Sequence, residues 1–180
     1  MRPNNRVCIL EAAVRVAERD GARRLTLEAT AEEAGLTRGG MMYHFDDRDA
    51  LALAMQQRLV GQWEDRLVAA AGKSADEATA LERTAAYATV AMDSATRAEL
   101  ELILETGHDP VMHEAWLAVQ RRWTPRVAEA AANPDALRLF VLRLAGDGLW
   151  SFDSLGSEPL PLNLRAQLAD QIAQLADPRP

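Results

Sequence analysis

Apolar and polar residues recur along this chain with the period of an α-helix almost from end to end. Val7, Leu10, Val14 and Ala17 form one stripe, which predicts a first helix over about 5–20, stopped by Gly21. Thr26 occupies an N-cap position before a second helix, with Glu28, Glu32 and Glu33 outside and Leu27 and Ala31 inside. Gly35 ends that helix, Leu36 fills the turn, and Thr37 caps a third. Asp46-Asp47 breaks the third helix, and Asp47 caps a long fourth one over about 48–71. Further helices are predicted near 76–93, 95–107, 110–132, 134–154 and 161–176, and Pro125 should kink the third of these or start a new one. Breaks fall at His108-Asp109-Pro110, Asn133-Pro134-Asp135 and Gly156-Ser157-Glu158-Pro159. No segment alternates with the period of a strand. The pattern predicts an all-α fold of about nine helices: a three-helix domain over 1–47 and a helical domain over 48–180.

Two helices joined by a turn of about four residues make a helix-turn-helix, whose second helix enters the major groove by its N-terminal end. The stretch GLTRGGMMYHF fits that second helix. Gly39 and Gly40 each cost roughly 1 kcal/mol against alanine within a helix, so a reason for them is required. Small residues at that end let the backbone approach phosphates and base edges. Thr37 and the free N–H groups can bind phosphate, and Arg38 adds charge. Met41 and Phe45, four apart, should face inward, which leaves Tyr43 and His44 facing DNA.

Composition first argues against that partner and then does not. The 180-residue chain carries a formal charge of −7. Residues 1–50 hold 8 Arg and 9 Asp/Glu, however, whereas 51–180 hold 12 Lys/Arg and 18 Asp/Glu. The acidity sits in the second part, and phosphate binding depends on local charge. A hydrophobic content of 48% is enough for a core. No apolar run approaches a membrane span, and Glu11 interrupts the start of the chain, so neither a signal peptide nor an anchor is expected. The single cysteine, Cys8, excludes an internal disulfide and suits a reducing, cytoplasmic setting; its neighbours predict a small buried residue.

Residues 9–55 also resemble the DNA-binding domain of TetR-family transcriptional repressors. The resemblance rests on the I-L-x-A-A start, Gly21, Thr26-Leu27, the pattern from Ala31 to Gly39, Tyr43-His44-Phe45 and the D-x-x-A-L that follows. It implies DNA contacts from Thr26, Thr37, Arg38, Gly39, Gly40, Tyr43, His44 and Arg48, the last where the family has a phosphate-touching lysine. Gly40 stands where the family often has Thr or Ser, and Met42 where it often has Tyr; Gly40 removes a possible hydroxyl contact, so the family's base reading does not carry over at that point. HDPVMHEAWLAVQRRWTP and LRLAGDGLWSFD are similar to segments of short TetR-family regulators that repress multidrug-efflux genes and bind lipophilic, often cationic compounds.

The residues of the second part bear on that independently. Met112, Trp116, Val119 and Trp123 share a helix face, Trp63 lies on the fourth helix, and Trp150 lies near the end of the chain. Trp and Met make a deformable aromatic lining for planar ligands, although such a stripe is more often plain core. The expected pocket residues are Trp63, Met92, Leu104, His108, Met112, Trp116, Trp123, Asp147 and Trp150. Glu101, Glu105, Asp109 and Asp147 are candidates to balance a ligand's positive charge.

One short recognition helix reads too few base pairs alone, so a dimer on two half-sites is expected. Leu139, Leu142 and Leu149, with Leu164, Leu168 and Ile172, form two leucine-rich stripes for such an interface, unless they pack within one chain. No catalytic constellation, cofactor motif or metal site is expected: His108 and His113 are five apart, on different helix faces. Three classes stay open: a repressor, an activator of the same fold, and a helical ligand carrier without a DNA role. Salt-sensitive duplex binding separates the first two from the third, and operator position separates repressor from activator.

Overall fold

Side-chain oxygens start four of the helices, three of them at the expected caps Thr26, Thr37 and Asp47 and one at Asn133, expected only as a break. Thr26 accepts the Ala29 N–H at 3.0 Å, Thr37 the Gly40 N–H at 3.2 Å, Asp47 the Ala50 N–H at 2.8 Å and Asn133 the Asp135 N–H at 2.8 Å. Each such cap satisfies an orphan donor and contributes ~1 kcal/mol. The computed structural model describes residues 5–93, 97–106, 109–156 and 158–176. The helices among them are α1 (Asn5–Asp20), α2 (Leu27–Glu33), α3 (Arg38–Met42), α4 (Arg48–Ala71) and α5 (Ala80–Asp93). They continue as α6 (Arg97–Thr106), α7 (Pro110–Trp123), α8 (Val127–Ala132), α9 (Pro134–Leu155) and α10 (Leu162–Ala176), and a 3-10 turn covers Ala22–Arg24.

Three differences from the expected elements have local causes. The helix expected from residue 76 begins at Ala80, because Thr79 and Glu82 form a reciprocal capping box. The span expected over 110–132 divides at Pro125 into α7 and α8, which gives ten α-helices among the described residues. The buried face of α1 centres on Ile9, Ala13 and Val16; Val7 and Val14 lie at its half-buried edge, and so does Cys8.

The chain packs as two compact units. The first comprises Met1–Gly61 with Thr96–Ala115, so it takes the first half of α4, and α6, beyond the three helices expected over 1–47. Its core gathers Ile9, Val16, Leu25, Met41, Phe45, Leu51, Met55 and Leu102. The second comprises Gln62–Ala95 with Trp116–Pro180. There α5 and α9 lie against each other, with α8 and α10 on α9. Gly146 permits that contact: a Cβ on it would sit 3.3 Å from the Ala88 Cα and 3.4 Å from the Ala91 Cβ. The side chain missing at Gly146 brings its neighbour Asp147 within reach of α5.

Candidate DNA-reading helix and ligand site

In α3 the pull of the core sets the direction of every other side chain. Met41 and Phe45 are buried in the first unit, so Thr37, Arg38, Gly39, Met42 and Tyr43 point outward. Tyr43 is 87% exposed, and its ring meets the half-buried His44 edge-on at 5.2 Å. A Cβ on Gly39 would meet nothing within 4 Å, whereas one on Gly40 would lie 3.4 Å from the Thr37 Oγ1. Gly39 is therefore not demanded by packing inside the chain. Arg38 lies 3.6 Å from Glu28, and both are mostly exposed, an ion pair too weak to hold the guanidinium back. Thr26 and Thr37 spend their hydroxyl oxygens on the capping bonds described above.

Two arginines have roles that the sequence did not show. Arg6 lies over the Phe45 ring at 4.6 Å and donates to the His44 carbonyl at 3.4 Å, bracing the end of α3. Its place as the second residue of α1 gave no hint of this. Arg48, expected on phosphate, turns into its own unit. Its guanidinium donates to Leu25 O at 2.9 Å and Ala22 O at 3.4 Å, and pairs with Glu105 at 2.7 Å. Glu101, one turn earlier on α6, accepts the Ala22 N–H at 3.1 Å. These two acids thus hold the turn before α2 instead of standing ready for a ligand, and Leu104, mostly exposed, lines a hollow with them.

The second unit brings Trp63 and Trp116 together, with ring centroids 5.5 Å apart and planes at 61°. Tyr87 of α5 joins them, edge-on to Trp63 at 4.9 Å. Its hydroxyl donates to Asp147 at 2.5 Å, and Arg143 donates to the other oxygen of Asp147 at 3.3 Å. Burial, and then the Asp147 carboxylate, push the Tyr87 phenol well above its ordinary range, so it stays a protonated donor. Sequence reasoning missed Tyr87; the available sign was one large residue in the alanine-rich run AAYATVAM.

The other expected pocket residues disperse. Trp123 is fully buried and donates its indole N–H to Glu64 at 3.1 Å, where Arg122 also binds. Met92 lies in the core of the second unit and its carbonyl accepts from Arg165, while Trp150 is half-buried on α9. Asp109 accepts the Val111 N–H at 2.8 Å at the start of α7. His108 and the side chain of Met112 lie outside the described residues. Among the leucines expected at an interface, Leu142, Leu149 and Ile172 are core, and Leu139 and Leu168 pack against that core; Leu164 is exposed. That area is used within the chain.

A capped two-helix motif presenting glycine, arginine and tyrosine outward, in one chain with a helical unit built round an aromatic cluster, defines a helix-turn-helix regulator. Residues 9–55 match the family model described as bacterial regulatory proteins, tetR family, and residues 81–177 match that of the tetracyclin repressor-like C-terminal domain. The chain belongs to the TetR family of transcriptional regulators. It is similar to a solved transcriptional regulator from Rhodococcus sp. Rha1, at 18% identity and a TM-score of 0.70 over 96% of each chain. A TetR-family member from Streptomyces coelicolor A3 gives 23% and 0.64 over 96% of this chain and 98% of that one. The multidrug binding protein EbrR, solved with ethidium, gives 22% and 0.63 over 97% and 99%. At these identities the likeness is one of fold. Among curated proteins, none matches this chain.

Proposed function

We propose that this protein is a ligand-responsive repressor that binds operator DNA as a dimer in the cytoplasm and lets go when a small, planar, lipophilic effector occupies the Trp63–Tyr87–Trp116 cluster. Control of a multidrug-efflux gene is part of the reading, supported by the likeness to EbrR, which its solved structures describe as a multidrug binding protein. The observation that carries the reading is the outward set on α3, Arg38, Gly39 and Tyr43, beside inward Met41 and Phe45. Among the described residues that set is engaged by a weak, exposed Arg38–Glu28 pair and the edge of His44, and it has the chemistry of phosphate and base contact.

Pairing of two chains falls on the free face of α9. Leu137, Val141, Leu144, Phe152 and Leu155 are exposed there, at spacings of four, three, eight and three that keep one helix face. With exposed Leu162 and Leu164 on α10 they make an apolar surface that a second copy would cover. The two recognition helices of a dimer must lie about 34–36 Å apart to meet successive major grooves. Effector binding releases DNA if it favours a form that misses that spacing, a coupling of typically ~1–3 kcal/mol. The experiment is a binding selection on genomic fragments, repeated with planar dyes. Recovered operators that are shed on adding dye support the reading, and the absence of any selected fragment removes it.

A further inference from the structure

We infer that the effector of the Trp63–Tyr87–Trp116 cluster is an uncharged planar aromatic compound with a hydrogen-bond-accepting oxygen, received by the Trp116 indole N–H. This rests on the proposed function and narrows its ligand class.

The first observation is a donor with nothing to donate to. Trp116 is 7% exposed and its Nε1 has no hydrogen-bond partner among the described residues. Buried indole N–H groups ordinarily find one, as Trp123 of the same helix does at the Glu64 carboxylate. The unpaired group lies on a ring already packed against Trp63, so aromatic rings and a buried donor stand together. An oxygen acceptor on a flat ring system answers both.

The second observation concerns charge. A cation leaving water needs an uncompensated carboxylate, or it loses more hydration than the ring faces return. Asp147 touches this cluster through Tyr87, and both its oxygens are engaged: one by the Tyr87 hydroxyl, the other by Arg143. Arg143 and Asp147 form an internally neutral pair, and Arg143 is steadied further by Gln120 at 3.3 Å. Tyr87 remains protonated and adds no negative charge. Glu101 and Glu105 serve Ala22 and Arg48 in the first unit. Among the described contacts, then, the carboxylate on this cluster is neutralised by Arg143, which leaves the cluster polar and directional.

The test uses three flat probes against the full-length protein: fluorenone, fluorene and ethidium. The first two differ only at one ring carbon, a CH2 in fluorene and a carbonyl in fluorenone. Tryptophan quenching gives each affinity. Fluorenone should bind wild type about tenfold tighter than fluorene, the effect of one hydrogen bond to a buried donor. Trp116→Phe keeps a ring and removes the N–H, so the ratio of the two affinities, measured within the variant, should fall to about one. Equal affinities for fluorene and fluorenone in wild type overturn the inference without any variant, as does a ratio that survives in Trp116→Phe. Tighter binding of ethidium than of fluorenone also overturns it, while leaving the aromatic cluster as the effector site. Failure of all three probes to bind overturns both the inference and the site on which it rests.

Discussion

Tyr43 and Phe45 stand two residues apart on and just beyond α3, and replacing each by alanine separates DNA reading from folding. The Tyr43 ring is 87% exposed, so its loss should shift folding stability by no more than ~0.5 kcal/mol. Its loss from the DNA face should remove a contact of about 1–3 kcal/mol at each half-site, or about 2–6 kcal/mol for a dimer. At 1.4 kcal/mol per factor of ten, operator affinity falls by roughly thirty-fold to more than ten-thousand-fold. Phe45 is 2% exposed, sits in the first unit's core and lies under Arg6. Phe45→Ala should cost about 3–5 kcal/mol of stability through lost burial and the cavity left behind. That is a large share of the ~5–15 kcal/mol that holds a typical domain together. Thermal melts followed by circular dichroism give the first quantity. Fluorescence anisotropy of labelled operator at one fixed salt concentration gives the second, since affinity changes steeply with salt. If Tyr43→Ala melts like wild type and binds operator within about threefold of it, α3 is not the reading helix. A Phe45→Ala melt equal to wild type would show the inward assignment to be wrong.

Val141→Arg, on the free face of α9, should give a folded monomer with weak operator binding, whereas Leu142→Arg, one residue on and in the core, should not fold; sedimentation and melting distinguish them. Arg48→Ala should lower the unfolding free energy by about 1–2 kcal/mol, read as a lower urea midpoint, because its guanidinium holds Leu25 O, Ala22 O and Glu105; an unchanged midpoint with weakened DNA binding would return Arg48 to phosphate. The Arg122 guanidinium, and then the Trp123 N–H, hold Glu64 below its ordinary carboxylate value of 4.5. Its contribution is complete above that value and is lost as pH falls through the lower folded one, so Glu64→Gln should flatten the fall of stability below about pH 4.5; parallel curves would show that Glu64 carries none of it.

The elements with local chemistry were legible along the chain. Thr26, Thr37, Asp47 and Asn133 cap helices because an oxygen at that spacing reaches an orphan N–H whatever packs nearby. Gly21 and Gly35 stop helices because their backbones take φ of 90° and 67°. Met41 and Phe45 point inward because four residues make about one turn, and that alone turns Tyr43 outward. What the sequence left open were choices among equivalent faces. α9 carries apolar residues on more than one side, so periodicity marks both Leu137-Val141-Leu144 and Leu139-Leu142-Leu149 without ranking them. The packed structure ranks them: α5 offers Ala88 and Ala91 where Gly146 has no side chain, the two helices close there, and the second set goes inside. The same closure engages Asp147 with Tyr87, sixty positions away, and so cancels a charge that the sequence had offered to a ligand. Likewise Arg48 was drawn inward by Glu105 from a helix whose position no local pattern encodes. A helix cap is decided within a few residues, whereas the partner of a buried charge is decided only by which helices meet.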